Sequence, residues 1–187
     1  VTSWEFPSVY PEPKDLPFEI NFVSDRCFRL RWRSRPGPIQ EKDSLMLAGP
    51  VPTNAKWKIA NAKKGDTEIL FKGPAGQVRV RLDPWAVEIE DGDGNFLTRT
   101  QHLKDSRCMI GSRPVAFSFV RTAGELDQRI AASFRLSPGE KIFGCGESFT
   151  RLNKRGQTVN LWTQDPHGTL TGEMYKPVPF YMSDRGY

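Results

Sequence analysis

Apolar and polar residues alternate with a period of two over much of this chain, the pattern of strands with one face in a core and the other in water. Phe28, Leu30 and Trp32 alternate with Arg29, Arg31 and Arg33; Val78, Val80 and Leu82 with Arg79 and Arg81; Val87 and Ile89 with Glu88 and Glu90. The pattern predicts strands over 18–24, 27–34, 57–61, 67–72, 77–82, 86–90 and 96–100, then over 115–121 and 129–136. Turn residues separate them at the intervals of a meander: Asp25-Arg26, Lys64-Gly65-Asp66, Gly73-Pro74-Ala75-Gly76 and Asp83-Pro84. The pair Ala131-Ala132 keeps a helix over 125–135 open as an alternative. Residues 1–17 set Pro7, Pro11, Pro13 and Pro17 among Trp4, Phe6 and Tyr10, which reads as an arm running extended along a surface. The stretch from Arg35 to Asn54 reads as a long connection with a short apolar element at 44–47. No internal repeat or low-complexity segment interrupts the pattern.

Composition agrees with this reading. Fifteen prolines, 16 glycines and 12 phenylalanines in 187 residues suit short strands joined by turns. The expected fold is one all-β domain, an antiparallel β-sandwich with few short helices. A net charge of +5 raises the question of a polyanion partner. The arginines of 27–34 share one strand face, however, and no recognition helix, zinc finger or RNA-binding signature accompanies them, so they read as a solvated or interface-forming face and no nucleic acid is expected. Cys27, Cys108 and Cys145 are odd in number and far apart, which fits neither a disulfide framework nor a zinc site; they are expected to be buried free thiols. Asp91-Gly92-Asp93-Gly94-Asn95 has the acidic spacing that opens a calcium loop but lacks its downstream Glu, and is read as a hairpin turn. His102 is read as a surface histidine, and no cofactor or metal is expected. No run is long and apolar enough to span a membrane, and the N-terminus lacks the basic-then-apolar layout of a signal peptide. The expected location is the cytoplasm, with the periplasm open if a leader has been trimmed.

The chemistry concentrates in 141–187. Gly144 and Gly146 flank Cys145, with Glu147 just after, which reads as a site-building loop whose backbone bends sharply or approaches another group closely. Residues 157–163 alternate like a strand, and Gln164-Asp165-Pro166-His167-Gly168 follows as a polar turn with Asp165 at its tip. Lys176 to Ser183 reads as an aromatic strand running into Asp184-Arg185-Gly186-Tyr187. In order and spacing, FGCGESFTRLNKRGQ, NLWTQD and YKPVPFYMSDRGY resemble the end of the N-terminal β-sandwich domain of glycoside hydrolase family 31, most like its α-xylosidase and α-glucosidase branch. The resemblance covers 142–187 with specific motifs, and 1–140 only in general character. It implies a galactose-mutarotase-like supersandwich over 1–187, an α-glycoside substrate, and a (β/α)8 barrel beyond this chain that carries both catalytic aspartates. The full enzyme's assembly into a homo-oligomer stays open.

The resemblance also implies that a loop of this domain leans over the barrel mouth. There the Asp of a Trp-x-x-Asp motif, here Trp162-Thr163-Gln164-Asp165, contacts the sugar beyond the cleavage point. An aspartate accepts hydrogen bonds from sugar hydroxyls and rejects ligands that leave it unpaired. The plainer reading is a carboxylate that caps the turn before Pro166. His167 is either a substrate contact or a surface histidine, and Trp162 either stacks on a sugar ring or, as a strand position favours, packs in the core. Glu147 is expected to pair with Arg151 or Arg155 and so hold the long loop, in preference to contacting sugar, while Lys154-Arg155-Gly156 reads as an exposed turn. Tyr175, Phe180 and Tyr181 are assigned to a sheet that docks on the barrel. Retaining glycoside hydrolysis needs two carboxyl groups about 5 Å apart; no such pair is recognisable and no catalytic residue is assigned. A free-standing carbohydrate-binding module is the alternative. An aldose epimerase fits poorly, because neither His102 nor His167 has a partner in its own segment.

Overall fold

The computed structural model describes residues 17–33, 37–40, 45, 47–62, 67–82, 85–101, 117–121, 128–169 and 171–187. The proline-rich arm over 1–16, Ser44 and Met46 of the short apolar element, the turns at 63–66 and 83–84, His102, Cys108 and the connection over 122–127 lie outside them.

A five-stranded antiparallel meander forms the body. It runs through β3 (Lys58–Asn61), β4 (Glu68–Gly73), β5 (Gly76–Leu82), β6 (Trp85–Asp91) and β7 (Phe96–Arg99), neighbours in sequence being neighbours in the sheet. The alternation sorts its faces: Ile69, Val80 and Val87 are in register across β4 to β6, as are Phe71, Val78 and Ile89. Val78, Val80 and Val87 are buried, each worth about 2 kcal/mol of transfer from water. A hairpin of β1 (Phe18–Phe22) and β2 (Phe28–Trp32) covers them, its Phe18, Ile20, Phe22, Phe28 and Leu30 packing onto the valines to make the second layer. Phe22 is central to this contact, stacked on Trp57 at 4.3 Å between ring centroids and 5.2 Å from Phe71.

Charged residues take the other face of the sheet. Arg79 lies 2.7 Å from Glu68 and 3.5 Å from Glu90, and Arg81 3.2 Å from Glu88, all diagonal neighbours in the ladder. On the hairpin, Arg31 pairs with Glu19 across the ladder. The Asp91 turn is a hairpin: its carboxylate accepts from the Asp93 and Asn95 amides and from the Asn95 side chain.

Beyond the meander, β8 (Phe117–Arg121) pairs with β9 (Gln128–Ala132), which settles 128–132 as strand and not helix. Residues 133–135 continue beside β7, through a bridge from Thr100 to Phe134 and a 2.8 Å bond from the Arg135 amide to the Arg99 carbonyl. A last pair joins β10 (Ile142–Glu147) to β11 (Lys176–Ser183). Two expectations change here. The stretch 142–147 is a paired strand and not a loop. The stretch 157–163 is not a strand; only Thr163 makes a bridge, parallel, to Met174. No helix, short or long, occurs among the described residues.

Candidate functional site

The site rests on the β10–β11 pair, whose geometry follows from its glycines. Gly144, Cys145 and Gly146 all have positive φ, at 110°, 69° and 95°. A Cβ on Gly146 would stand 2.1 Å from the Lys176 carbonyl oxygen, and one on Gly144 2.7 Å from that of Phe180, so only glycine fits either place. Between Gly144 and Gly146 the register shifts: Gly144 faces Tyr181, Gly146 faces Pro177, and β11 bulges over 178–180. A bulge tolerates Pro177 and Pro179, which supply no amide to a ladder. On β11 the side chains of Val178, Phe180, Tyr181 and Met182 stand exposed.

A polar cluster behind this pair holds its ends together. Glu140 is only 3% exposed. One oxygen of its carboxylate accepts from the Ser183 hydroxyl at 2.5 Å and from the Tyr187 hydroxyl, and the other from the Ser137 amide at 2.6 Å. Burial pushes the Glu140 carboxyl up, but these hydrogen bonds and the charge of Arg185 outweigh it and leave the group below the usual carboxylate range. Burial, with the bond to Glu140, raises the Tyr187 phenol to about 12.

The loop between the strands is braced by its own polar groups. Asn153 accepts the Ile142 amide at 3.1 Å, and the Lys154 amide reaches the Ile142 carbonyl at 2.7 Å. Lys154 is buried, its ammonium donating to Ser148 at 3.1 Å and Thr150 at 2.7 Å, whereas Arg155 and Gly156 form the exposed turn expected. Arg155 donates to the Ser137 and Glu140 carbonyls and not to Glu147. Glu147 is exposed and lies 3.5 Å from Lys176 instead, and Arg151 is exposed, its carbonyl accepting from Gln157. The expected pairing of Glu147 with Arg151 or Arg155 is therefore replaced by a cross-strand neighbour, as the register of Glu147 with Lys176 dictates. The thiols differ from expectation too: Cys27 is exposed and Cys145 half-buried.

The bridge from Thr163 to Met174, with a 3.2 Å bond from the Gln164 amide to the Met174 carbonyl, sets 162–165 beside 173–175. Met174 is the buried anchor at 1% exposure. One residue further along each segment, the Tyr175 hydroxyl donates to Asp165 Oδ1. This bond, then desolvation, then the Asp165 charge hold the phenol above its ordinary pKa. Asp165 is exposed. Trp162 is 74% exposed, which overturns core packing: without a strand at 157–163, no sheet face carries it inward. His167 is exposed two residues past Asp165. A cavity of about 330 Å³ opens beside the pair, between Glu147, Ser148 and Phe149 on one side and Pro166, Met174 and Tyr175 on the other.

The structure thus brings Asp165 together with Tyr175 and leaves Trp162 and His167 exposed in the same loop. Glu140, Lys154 and Tyr175 escaped the sequence reading as polar partners, because each bond links residues that no local pattern relates. Among the described residues, no cluster of three or more His, Cys, Asp or Glu is placed to hold a metal ion, and no helix is long and apolar enough to cross a membrane.

This arrangement can be set beside known proteins. The chain is 48% identical over 56 residues to an alpha-xylosidase of Emericella nidulans, covering 30% of this chain and 7% of that protein. It is 52% identical over 48 residues to an alpha-xylosidase of Lactiplantibacillus pentosus, covering 26% and 6%. In fold it matches a GH31 dextranase of Flavobacterium johnsoniae, solved with isomaltotriose, at a TM-score of 0.65 and 19% identity, over 91% of this chain and 19% of that one. The chain therefore spans a small part of each relative. Residues 17–187 match the family described as the glycosyl hydrolase 31 N-terminal galactose mutarotase-like domain. With an all-strand sandwich and that match over nearly its whole length, the chain belongs to this family of N-terminal domains of family 31 glycoside hydrolases.

Proposed function

We propose that this chain is the noncatalytic N-terminal domain of a retaining α-glycosidase of the α-xylosidase or α-glucosidase type. In this reading the loop around Asp165 reaches the active-site entrance, and the exposed side chains of β11 pack on the catalytic barrel. The observation that carries it is an exposed carboxylate, Asp165, held by Tyr175 three residues after an exposed aromatic, Trp162. Asp165 accepts hydrogen bonds from sugar hydroxyls, Trp162 offers an aromatic face to a pyranose ring, and His167 stands close enough in sequence to join them. Arg155, through the Ser137 and Glu140 carbonyls, and Glu147, through Lys176, support the loop without touching sugar. The similarity to alpha-xylosidases supports that substrate class.

The test is turnover of aryl α-xyloside and α-glucoside. The expected result is none by the 187-residue chain alone and activity by the longer enzyme containing it. Asp165→Ala in that enzyme should raise KM; turnover by the isolated chain would overturn the reading. The exposure of Trp162 also favours a second one, a carbohydrate-binding module that works without a barrel. Titration calorimetry separates the two: clear heats of sugar binding to the isolated chain support the module, and their absence supports the entrance loop.

A further inference from the structure

The Asp165 carboxylate has two oxygens, and the fold treats them differently. Oδ1 accepts from the Tyr175 hydroxyl. We propose that Tyr175 is a positioning residue: by engaging Oδ1 it turns Oδ2 toward the ligand and so sets which sugar hydroxyl Asp165 recognises. This rests on the reading that Asp165 touches sugar.

Three features support it. First, both partners hang from one bridge. Asp165 follows Gln164 and Tyr175 follows Met174, the two residues joined through backbone, and Met174 is buried. The relative placement of the two side chains is therefore inherited from backbone pairing, and Tyr has only two side-chain torsions to fix. Second, the donor is neutral. A hydroxyl bonded to a carboxylate belongs to the stronger, charge-assisted class, yet it leaves the negative charge in place for the ligand, which an Arg or Lys partner would offset. The nearby cation, Lys176, is directed to Glu147 at 3.5 Å. Third, the Tyr175 ring walls the cavity with Phe149 and Pro166, so the group that orients the carboxylate also bounds the space beside it. A carboxylate with one oxygen held in place has the direction of the other fixed, and a sugar whose hydroxyl misses that direction leaves it unpaired.

The test uses Tyr175→Phe, which keeps the ring and removes the hydroxyl. In the longer enzyme, KM for the better substrate should rise about three- to tenfold with kcat nearly unchanged, the size expected for one lost hydrogen bond expressed in binding. The preference between aryl α-xyloside and α-glucoside should narrow. Asp165→Ala should raise KM at least as much, and the double variant no further than Asp165→Ala alone, because the hydroxyl acts only through the carboxylate. In the isolated chain, Asp165→Asn should bring the ionisation of Tyr175 down toward that of a free phenol, followed by tyrosinate absorbance against Tyr175→Phe. A rise in KM for Asp165→Ala with no change for Tyr175→Phe would overturn the positioning role and leave the sugar contact standing. Effects that simply multiply in the double variant would overturn it as well. If Asp165→Ala leaves KM unchanged while the tyrosinate shift is present, the sugar contact itself is what fails, and the positioning role falls with it.

Discussion

Around β5, Val78 and Val80 are buried while Arg79 and Arg81 lie outside them in diagonal pairs with Glu68, Glu90 and Glu88. Around β10 and β11 the sorting is mixed: Glu140, Lys154 and Ser183 are buried along with Ile142 and Met174, while Trp162, Tyr175, Phe180, Tyr181 and Met182 are exposed. The meander is held by apolar area removed from water, an interaction without direction that spreads over many side chains. The C-terminal pair is held by a few directed hydrogen bonds, each needing both partners. The difference teaches that the exposed aromatics of β11 are not the result of a failed core. Their own strand is secured at its end by polar groups, which leaves its exposed side chains free to meet something else.

The comparison is broken most directly at Phe22. Phe22→Ala should lower the stability of the chain by about 4 kcal/mol in denaturant unfolding, since it empties the centre of the aromatic contact between hairpin and sheet. Gly146→Val should cost about 3 kcal/mol, because a side chain there meets the Lys176 carbonyl and disfavours the positive φ. Its effect should fall on the β10–β11 amides, measured by hydrogen exchange, with the meander still protected. Protection lost equally across both regions would show that they unfold as one unit.

Glu140 tests the polar latch. Glu140→Ala should remove about 2 kcal/mol by leaving the Ser183 and Tyr187 hydroxyls without their acceptor. Its folded carboxyl titrates below the ordinary value of 4.5, so its contribution is fully present above that pH and is lost as pH falls through the lower folded value. Tyr187 has the opposite sign. Its folded pKa is raised from 10.0 to about 12, so stability is intact below 10 and is lost as pH rises toward 12. Unfolding curves against pH should have a shallower acid slope in Glu140→Gln and a shallower alkaline slope in Tyr187→Phe, with the remainder left to groups such as Asp25, Asp91 and Tyr181. The smallest effect is expected at Phe180→Ser, less than about 0.5 kcal/mol in the isolated chain. A clearly larger loss would mean that the face is packed within this chain after all.

The meander and its hairpin were readable because alternation is a local signal: each of Val78, Arg79 and Val80 declares its face through its immediate neighbours. The last third resisted for a physical reason. Gly144 and Gly146 suggest a loop when read along the chain, and become a strand only through pairing with residues more than 30 positions away. Residues 157–163 alternate, yet Gln157 spends its side chain on the Arg151 and Asn153 carbonyls and no ladder forms. Glu140 ends a turn in the sequence; it is a buried acceptor only because Ser183 and Tyr187, 43 and 47 residues on, fold back to it. The Trp162 to Asp165 motif was visible, but the exposure of Trp162 and the tie from Asp165 to Tyr175 depend on a single bridge that periodicity does not encode.

The bulge opposite Cys145 has a consequence for chain length. Tyr181 and Pro177 are the pairing partners of Gly144 and Gly146, so β11 uses four steps where β10 uses two, a surplus of two residues. An even surplus conserves parity: side chains before and after the bulge keep the same inward and outward order. Removing one residue from 178–180 would invert everything on one side of the excision, whereas removing two would straighten the strand with its faces preserved. Insertions and deletions here should therefore be tolerated in pairs and rejected singly.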